Sequence, residues 1–293
     1  MSVSADRLAV LMTCHNRRDA TVRCLESLTV QRDLPGVDVA TFVVDDGSND
    51  GTADAVASRF PDVHVMHGDG SLYWAGGMRR AMAAATEIGF DYYLWLNDDC
   101  VLEPTAVSRM LACFRALATD GGRDPIVVGS LRDPVTGACS YGGAVRAPGW
   151  HPLRFERIAP ADTPLRCDVF NGNLVLISRQ VAENVGNLER RLRHRTADYE
   201  YALRAKRKGF TAWTAPGYLG ECSRNGIEGT SEDPALPLVQ RYRKLLGPKE
   251  YPITARAVYT ARHGGVFWPI FFASVYISLP FKHSAARIRG TVR

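Results

Sequence analysis

The chain has 293 residues, 46% of them hydrophobic and 23% charged. That composition suits a globular protein with a sizeable core and excludes disorder as the main state. The formal net charge of +5 is a mild excess that fits attraction to phosphate or to an anionic surface, but no Lys/Arg-rich arm is present, so nucleic acid is not an expected partner.

Residues 8–13 read as a first strand, because the short apolar stretch lacks the layout of a signal peptide. Residues 20–28 follow as a helix, with Val22, Leu25 and Leu28 at helical spacing. Further strands are expected at 39–44, 63–66, 92–96 and 126–131, and helices at 52–60, 78–88 and 104–117. Strands alternating with helices of this length predict a largely parallel sheet covered on both faces.

Beyond Leu131 the pattern changes. Segments 138–145 and 168–177 look like short strands, and 180–185 and 198–208 like helices. The second of these begins with acids and ends with bases, as the helix dipole favours, and Gly209 suits its C-cap. We divide the chain into a domain over 1–228 and, over 229–293, a Pro/acid linker (SEDPALP) with a basic and aromatic tail. The seven cysteines are odd in number and form no CxxC or Cys/His cluster, which predicts buried reduced thiols in a cytoplasmic protein.

Ligand sites in open α/β sheets lie beyond the C-terminal ends of the strands. Three polar runs fall there: Thr13-Cys14-His15-Asn16-Arg17, Asp45-Asp46-Gly47-Ser48 and Asn97-Asp98-Asp99. All three would face one crevice. Two carboxylates just past a buried strand need a cation or strong hydrogen bonds to offset desolvation. A divalent cation bridging carboxylate and diphosphate oxygens meets that need. The plainer alternative is helix-capping chemistry at Asn97–Asp99, and Asp50 is likewise placed to cap the helix after it.

The opening LMTCHNR, the segment FVVDDGSNDGT, the stretch GDGSLYWAGGMRRA (68–81), the acid motif LWLNDDC and the later ADYEYALRAKRKGF (197–210) occur in one order over roughly residues 8–225. On these motifs the chain resembles family 2 glycosyltransferases of the GT-A fold, especially the rhamnosyltransferase-like branch. The resemblance implies an α/β fold with a central, mostly parallel sheet, flanking helices and a C-terminal helical tail. It implies an inverting transfer of a sugar, rhamnose or another hexose, from a nucleotide-diphosphate donor to a hydroxyl of a glycan or glycolipid acceptor in cell-surface synthesis.

It also implies roles for residues. Thr13, Asn16, Arg17, Asp45 and Asp46 would contact the donor nucleotide, with Asp69 near the nucleoside or sugar and Asp98 beside the diphosphate. Asp99 would be the main ligand of a divalent cation, Mg or Mn. Asn97 stands where the family often has a further acid, and Glu221 is our candidate to restore the missing charge. Asp198 matches the general base, with Glu200, two residues on, as the competing candidate on the acceptor side. Trp74, with Tyr73 beside it, and Asn171 and Gly172, in the run 170–173, would line the sugar and acceptor pockets, since aromatic faces suit apolar sugar faces.

Residues 264–281, GGVFWPIFFASVYISLPF, are flanked by Arg256 and Arg262 on one side and Lys282, Arg287, Arg289 and Arg293 on the other. No run gives about 20 uninterrupted apolar residues, so a crossing helix is not expected. The layout predicts a segment lying at the cytoplasmic membrane surface, with a packed helix or homodimer contact as the alternative. Two other functions compete with glycosyl transfer. A nucleotidyltransferase would open with a Gly-rich phosphate loop, and TCHNRRD has no glycine. A catalytically inactive sugar-binding scaffold is disfavoured by Asp99 and Asp198.

Overall fold

The computed structural model describes residues 5–119 and 121–290. The first half runs β1 (Asp6–Cys14), α1 (Arg18–Thr29), β2 (Val37–Asp45), α2 (Thr52–Arg59), β3 (His64–His67), α3 (Tyr73–Ile88), β4 (Tyr92–Leu96), β5 (Val101–Leu102) and α4 (Ala106–Leu117). The second half continues β6 (Ile126–Arg132), β7 (Cys139–Tyr141), β8 (Gly143–Arg146), β9 (Phe155–Arg157), β10 (Leu165–Cys167), β11 (Val169–Phe170), β12 (Leu174–Ser178), α5 (Arg179–Val185), α6 (Ala197–Arg207), β13 (Ala212–Glu221), α7 (Leu238–Leu245), α8 (Ile253–His263) and α9 (Trp268–Gly290).

The main sheet has the order β10-β13-β6-β12-β4-β1-β2-β3. Strands β3, β2, β1 and β4 are mutually parallel, as expected for the first half. Strand β12 enters antiparallel between β4 and β6, and β13 runs parallel to β6. The residues of β1 alternate between the two faces: Ala9 and Leu11 join the core under α3, α5 and α6, while Leu8, Val10 and Met12 join the core under α1 and α4. A strand buried on both faces needs apolar residues at every position, which is what LAVLM supplies. A smaller sheet, β11-β8-β9, stands beside the main one.

Three expected elements differ, the first being the predicted strand 138–145, which is two strands, β7 and β8, paired in different sheets. Helix α3 begins at Tyr73, ahead of the predicted 78. Its early glycines look like a loop in the sequence but serve packing: a β-carbon on Gly77 would run into the Thr13 hydroxyl. The predicted strand 168–177 is two strands, β11 and β12. The chain crosses from one sheet to the other there, with Asn171 N–H donating to Gly142 O at 3.0 Å and Asn173 O accepting from Asn97 N–H at 2.9 Å.

The expected linker is a packed corner instead. Ser231 N–H donates to the Glu250 carboxylate at 2.7 Å and the Arg241 guanidinium to Ser231 O at 2.6 Å, all three side chains being buried. The helices beyond it pack on the domain: Tyr259 is buried in the core under α6, and buried Phe271 meets the His151 ring at 4.3 Å. Among the described residues no helix is long and apolar enough to cross a membrane. The outer side nevertheless exposes Val266, Phe267, Ile270, Ile277 and Phe281. Arg293 and the side chains of Lys282, Arg287 and Arg289 lie outside the described residues.

Candidate active site

The acid motif turns off the end of β4. Arg17, at the entry to α1, reaches across to it, with its Nη1 3.3 Å from Asp98 Oδ1 and 2.7 Å from Asp99 Oδ2. Asp98 is buried, and burial pushes its carboxyl up to about 7 despite the opposing pull of Arg17. Arg17 is therefore the protein's own counter-charge for the pair. The other Asp99 oxygen, Oδ1, accepts from the Cys222 thiol at 3.4 Å. One half-buried carboxylate beside a second, with sulfur atoms adjacent, is a donor set that fits a divalent cation completed by diphosphate oxygens.

The other residues expected at the metal fall elsewhere. Asn97 Oδ1 accepts from the Trp74 indole N–H at 2.7 Å, so Asn97 orients the aromatic ring. Glu221 pairs with Arg132 at 3.1 Å on β6. Successive residues of an extended strand point to opposite sides, so the neighbour of Glu221, Cys222, is the one that faces Asp99. The charge compensation expected of Glu221 is corrected accordingly. Sequence reading missed Cys222 because an isolated cysteine carries no ligand spacing of its own.

The residues expected on the donor side gather at the C-terminal ends of β1, β2 and β3. Thr13 donates to Val44 O at 3.1 Å. Asp45 Oδ1 accepts from Ser48 N–H at 3.0 Å and from its hydroxyl at 2.5 Å. Asp46 clamps the Gly-rich stretch: Oδ1 takes the N–H groups of Gly70 (2.9 Å) and Leu72 (3.2 Å), and Oδ2 that of Tyr73 (2.8 Å). Asp46 thus shapes the crevice through the loop it holds. Asn16, in a left-handed conformation with φ 50°, accepts from Asn49 N–H at 2.8 Å and ties the first polar run to the second. Exposed Asp69 accepts from Ser71 N–H at 2.9 Å. Asp50, read as a cap, accepts from the N–H groups of both Arg18 (3.0 Å) and Thr52 (3.1 Å), so it serves the starts of α1 and α2 together.

Asp198 sits in the first turn of α6. Its Oδ2 accepts from Gly172 N–H at 3.1 Å and its Oδ1 from Tyr199 N–H at 2.8 Å. Burial raises its carboxyl to about 6, against the lowering effect of these hydrogen bonds. A carboxylate with that value can take a proton near neutral pH. The preceding Thr196 has φ 67°, a strained conformation for a β-branched residue and one that fixes how the helix starts. A β-carbon on Gly172 would overlap the Trp74 ring and lie 3.6 Å from Asp198 Cβ. Asp198, Gly172, Trp74 and Asn97 therefore form one continuous line from the Asp198 carboxylate to the acid motif.

Glu200 does not join that line. It is fully buried, 3.1 Å from Arg204 Nη2 and 2.9 Å from Arg262 Nη1 of α8. Burial raises its carboxyl but the hydrogen bonds and charges of His263, Arg204 and Arg262 win, holding it at about 2. Residues two apart on a helix point about 200° apart, and the expected acceptor-side role of Glu200 is replaced by an anchor for the tail. His194 is a further feature the sequence reading passed over. The chain packed around it and the charges of Lys249, Arg17 and Arg195 lower its imidazole, although the side chain keeps contact with solvent, and mark an electropositive rim beside the acids.

A GT-A sheet with acids at the end of its fourth strand and a half-buried carboxylate across the crevice defines a glycosyltransferase. The chain belongs to glycosyl transferase family 2, whose model matches residues 9–186. It is similar to the N-acetylglucosaminyl-diphospho-decaprenol L-rhamnosyltransferase of two Mycobacterium tuberculosis strains, 23% identical over 263 residues, covering 81% of this chain and 82% of theirs. Its fold is similar to that of the mannosyltransferase PcManGT from Pyrobaculum calidifontis, solved with GDP-Man and Mn2+, at a TM-score of 0.56 and 18% identity over 98% of this chain and 76% of that one. It also resembles S. aureus TarS, with a TM-score of 0.56 and 11% identity over 87% of this chain and 39% of that one. Membership of this family sets aside the nucleotidyltransferase alternative.

Proposed function

We propose that this glycosyltransferase is inverting and metal-dependent, and moves a hexose from a nucleotide-diphosphate donor to a hydroxyl of a diphospholipid-linked glycan. The observation that carries the reading is the raised carboxyl of Asp198 at one end of the line that ends at the acid motif. The acceptor hydroxyl gives its proton to Asp198 as its oxygen bonds to the anomeric carbon. The bond from that carbon to the diphosphate oxygen breaks, and the nucleoside diphosphate leaves. Attack from the side opposite the leaving group inverts the anomeric centre. A divalent cation on Asp99 would offset the charge gathering on the leaving group.

Rhamnose as the sugar and a polyprenyl-diphosphate acceptor are drawn from the named function of the mycobacterial relatives. The exposed apolar edge of α9 supports an approach to the lipid surface in which such an acceptor resides. The test is transfer from a panel of nucleotide sugars to N-acetylglucosaminyl-diphospholipid, with and without EDTA, followed by NMR of the product. Inverted configuration and loss in EDTA are expected. Retained configuration overturns the direct displacement, and full activity in EDTA overturns the metal.

A further inference from the structure

The end of β13 brings sulfur to the acid motif. Cys222 Sγ lies 3.4 Å from Asp99 Oδ1, and Cys100 comes directly after Asp99 in the chain. One ligand atom from each of Asp99, Cys100 and Cys222 falls within 4.8 Å of the others. Both thiols are buried. Asn173 holds them from the far side, its Nδ2 donating to Cys222 Sγ at 3.7 Å and its carbonyl accepting from Cys100 Sγ at 3.8 Å. Outer hydrogen bonds of this kind orient ligand atoms before a metal arrives.

Arg17 does not block the position. It binds Asp99 through Oδ2, whereas the sulfur side is served by Oδ1. A cation between Oδ1 and the thiols leaves the arginine pair in place. The donor set is then one carboxylate oxygen and two sulfurs, with open positions for diphosphate oxygens. Magnesium demands near-octahedral oxygen coordination and keeps its waters, which two sulfurs cannot satisfy. Thiolates favour zinc and the later first-row divalent ions.

We propose that the cation site of this chain is a mixed carboxylate and thiolate site, made by Asp99, Cys222 and Cys100, and that it selects a borderline-soft divalent cation over magnesium. The proposal rests on the reading of Asp99 as the cation ligand and goes beyond it by naming the sulfur ligands and the metal class. Each thiol that ligates loses its proton to solvent and no electron is transferred.

Cobalt(II) reports the ligands directly, because a cobalt-thiolate bond gives a charge-transfer band in the near ultraviolet that oxygen ligands do not. Full-length reduced protein is titrated with cobalt(II) alone. A saturable band at one equivalent is expected, displaced by zinc(II) but not by a large excess of magnesium. Cys222→Ser should abolish it and Cys100→Ser should weaken it, while Cys139→Ser, whose thiol lies against Tyr141 O and Ile158 O instead, should leave it unchanged. Circular dichroism melts confirm that each variant is folded, and Cys222→Ala takes the place of a serine variant that is not. No band in the wild-type protein, or a band untouched by either Cys222 substitution, overturns the proposal. Magnesium-supported transfer without a cobalt band leaves the glycosyltransferase reading intact and removes the sulfur ligands. A Cys222-dependent band in a protein that transfers from no nucleotide sugar does the reverse.

Discussion

Gly172 lies directly under the Trp74 indole, with no room for a β-carbon between them, while its N–H donates to Asp198 at 3.1 Å. One residue without a side chain therefore sets the position of the ring and one hydrogen bond to Asp198 at once. Gly172→Ala must push the indole or the 171–173 turn away. Overpacking of this kind costs about 1–3 kcal/mol. We expect a folded protein with altered tryptophan fluorescence and a transfer rate down by about tenfold or more, the rate equivalent of about 1.4 kcal/mol. Unchanged fluorescence and rate would show that the pair is not coupled to the reaction.

Asp198 and Glu200 should separate cleanly. Asp198→Asn keeps the size and one of the two N–H acceptors of the side chain but cannot take a proton. Single-turnover transfer should fall by on the order of 10²-fold or more with donor affinity nearly intact. Glu200→Gln should do the opposite, costing about 1–3 kcal/mol of stability because Arg204 and Arg262 lose a buried partner while keeping partial access to water. Transfer per folded molecule should be little changed. A dead Glu200→Gln with an active Asp198→Asn reverses the assignment.

The raised carboxyl of Asp198 has two pH signatures. Activity should rise as pH passes upward through about 6, where the base loses its proton. Stability should move the other way. The folded state holds the proton more tightly than the unfolded state, whose carboxyl has its ordinary value of 3.8. The folded chain thus binds more protons between these values, and unfolding free energy declines as pH rises through that window. Asp98, raised to about 7, adds a slope of the same sign. Urea titrations at several pH values should show a shallower decline in Asp198→Asn. Parallel curves for the two proteins would remove Asp198 as a titrating group in this range.

If the outer edge of α9 and the short turn before it meet lipid, replacing exposed Phe267 and Ile270 with aspartate should release the protein from anionic liposomes without lowering its melting temperature. Added salt should weaken wild-type binding, since part of the attraction is screened. Equal sedimentation of wild type and variant would assign the edge to another contact.

The parallel strands were legible because strand burial leaves a continuous apolar pattern. The three polar runs were legible because they sit at the strand ends, where open sheets bind their ligands. The start of α3 was not, because glycines that permit packing on Thr13 are indistinguishable in sequence from glycines that break a helix. The acid motif and Asp198 were singled out through their resemblance, and the roles proposed for them rest on it. The roles of Cys222 and Glu200 depended on which way a side chain leaves a strand end or a helix turn, and on partners from 62 residues away in the case of Arg262 with Glu200. No local pattern carries that information.

Arg262 has one further consequence. It joins α8, near the end of the described chain, to Glu200, which stands two positions from Asp198 on the same helix. The terminal helices are thus a buttress for α6. A protein shortened at residue 228 would leave a carboxylate inside the core facing Arg204 alone, and the catalytic portion is not a module that can be grafted without its end. Any pull exerted on that end by a surface it rests on would be felt first at the turn that carries Asp198.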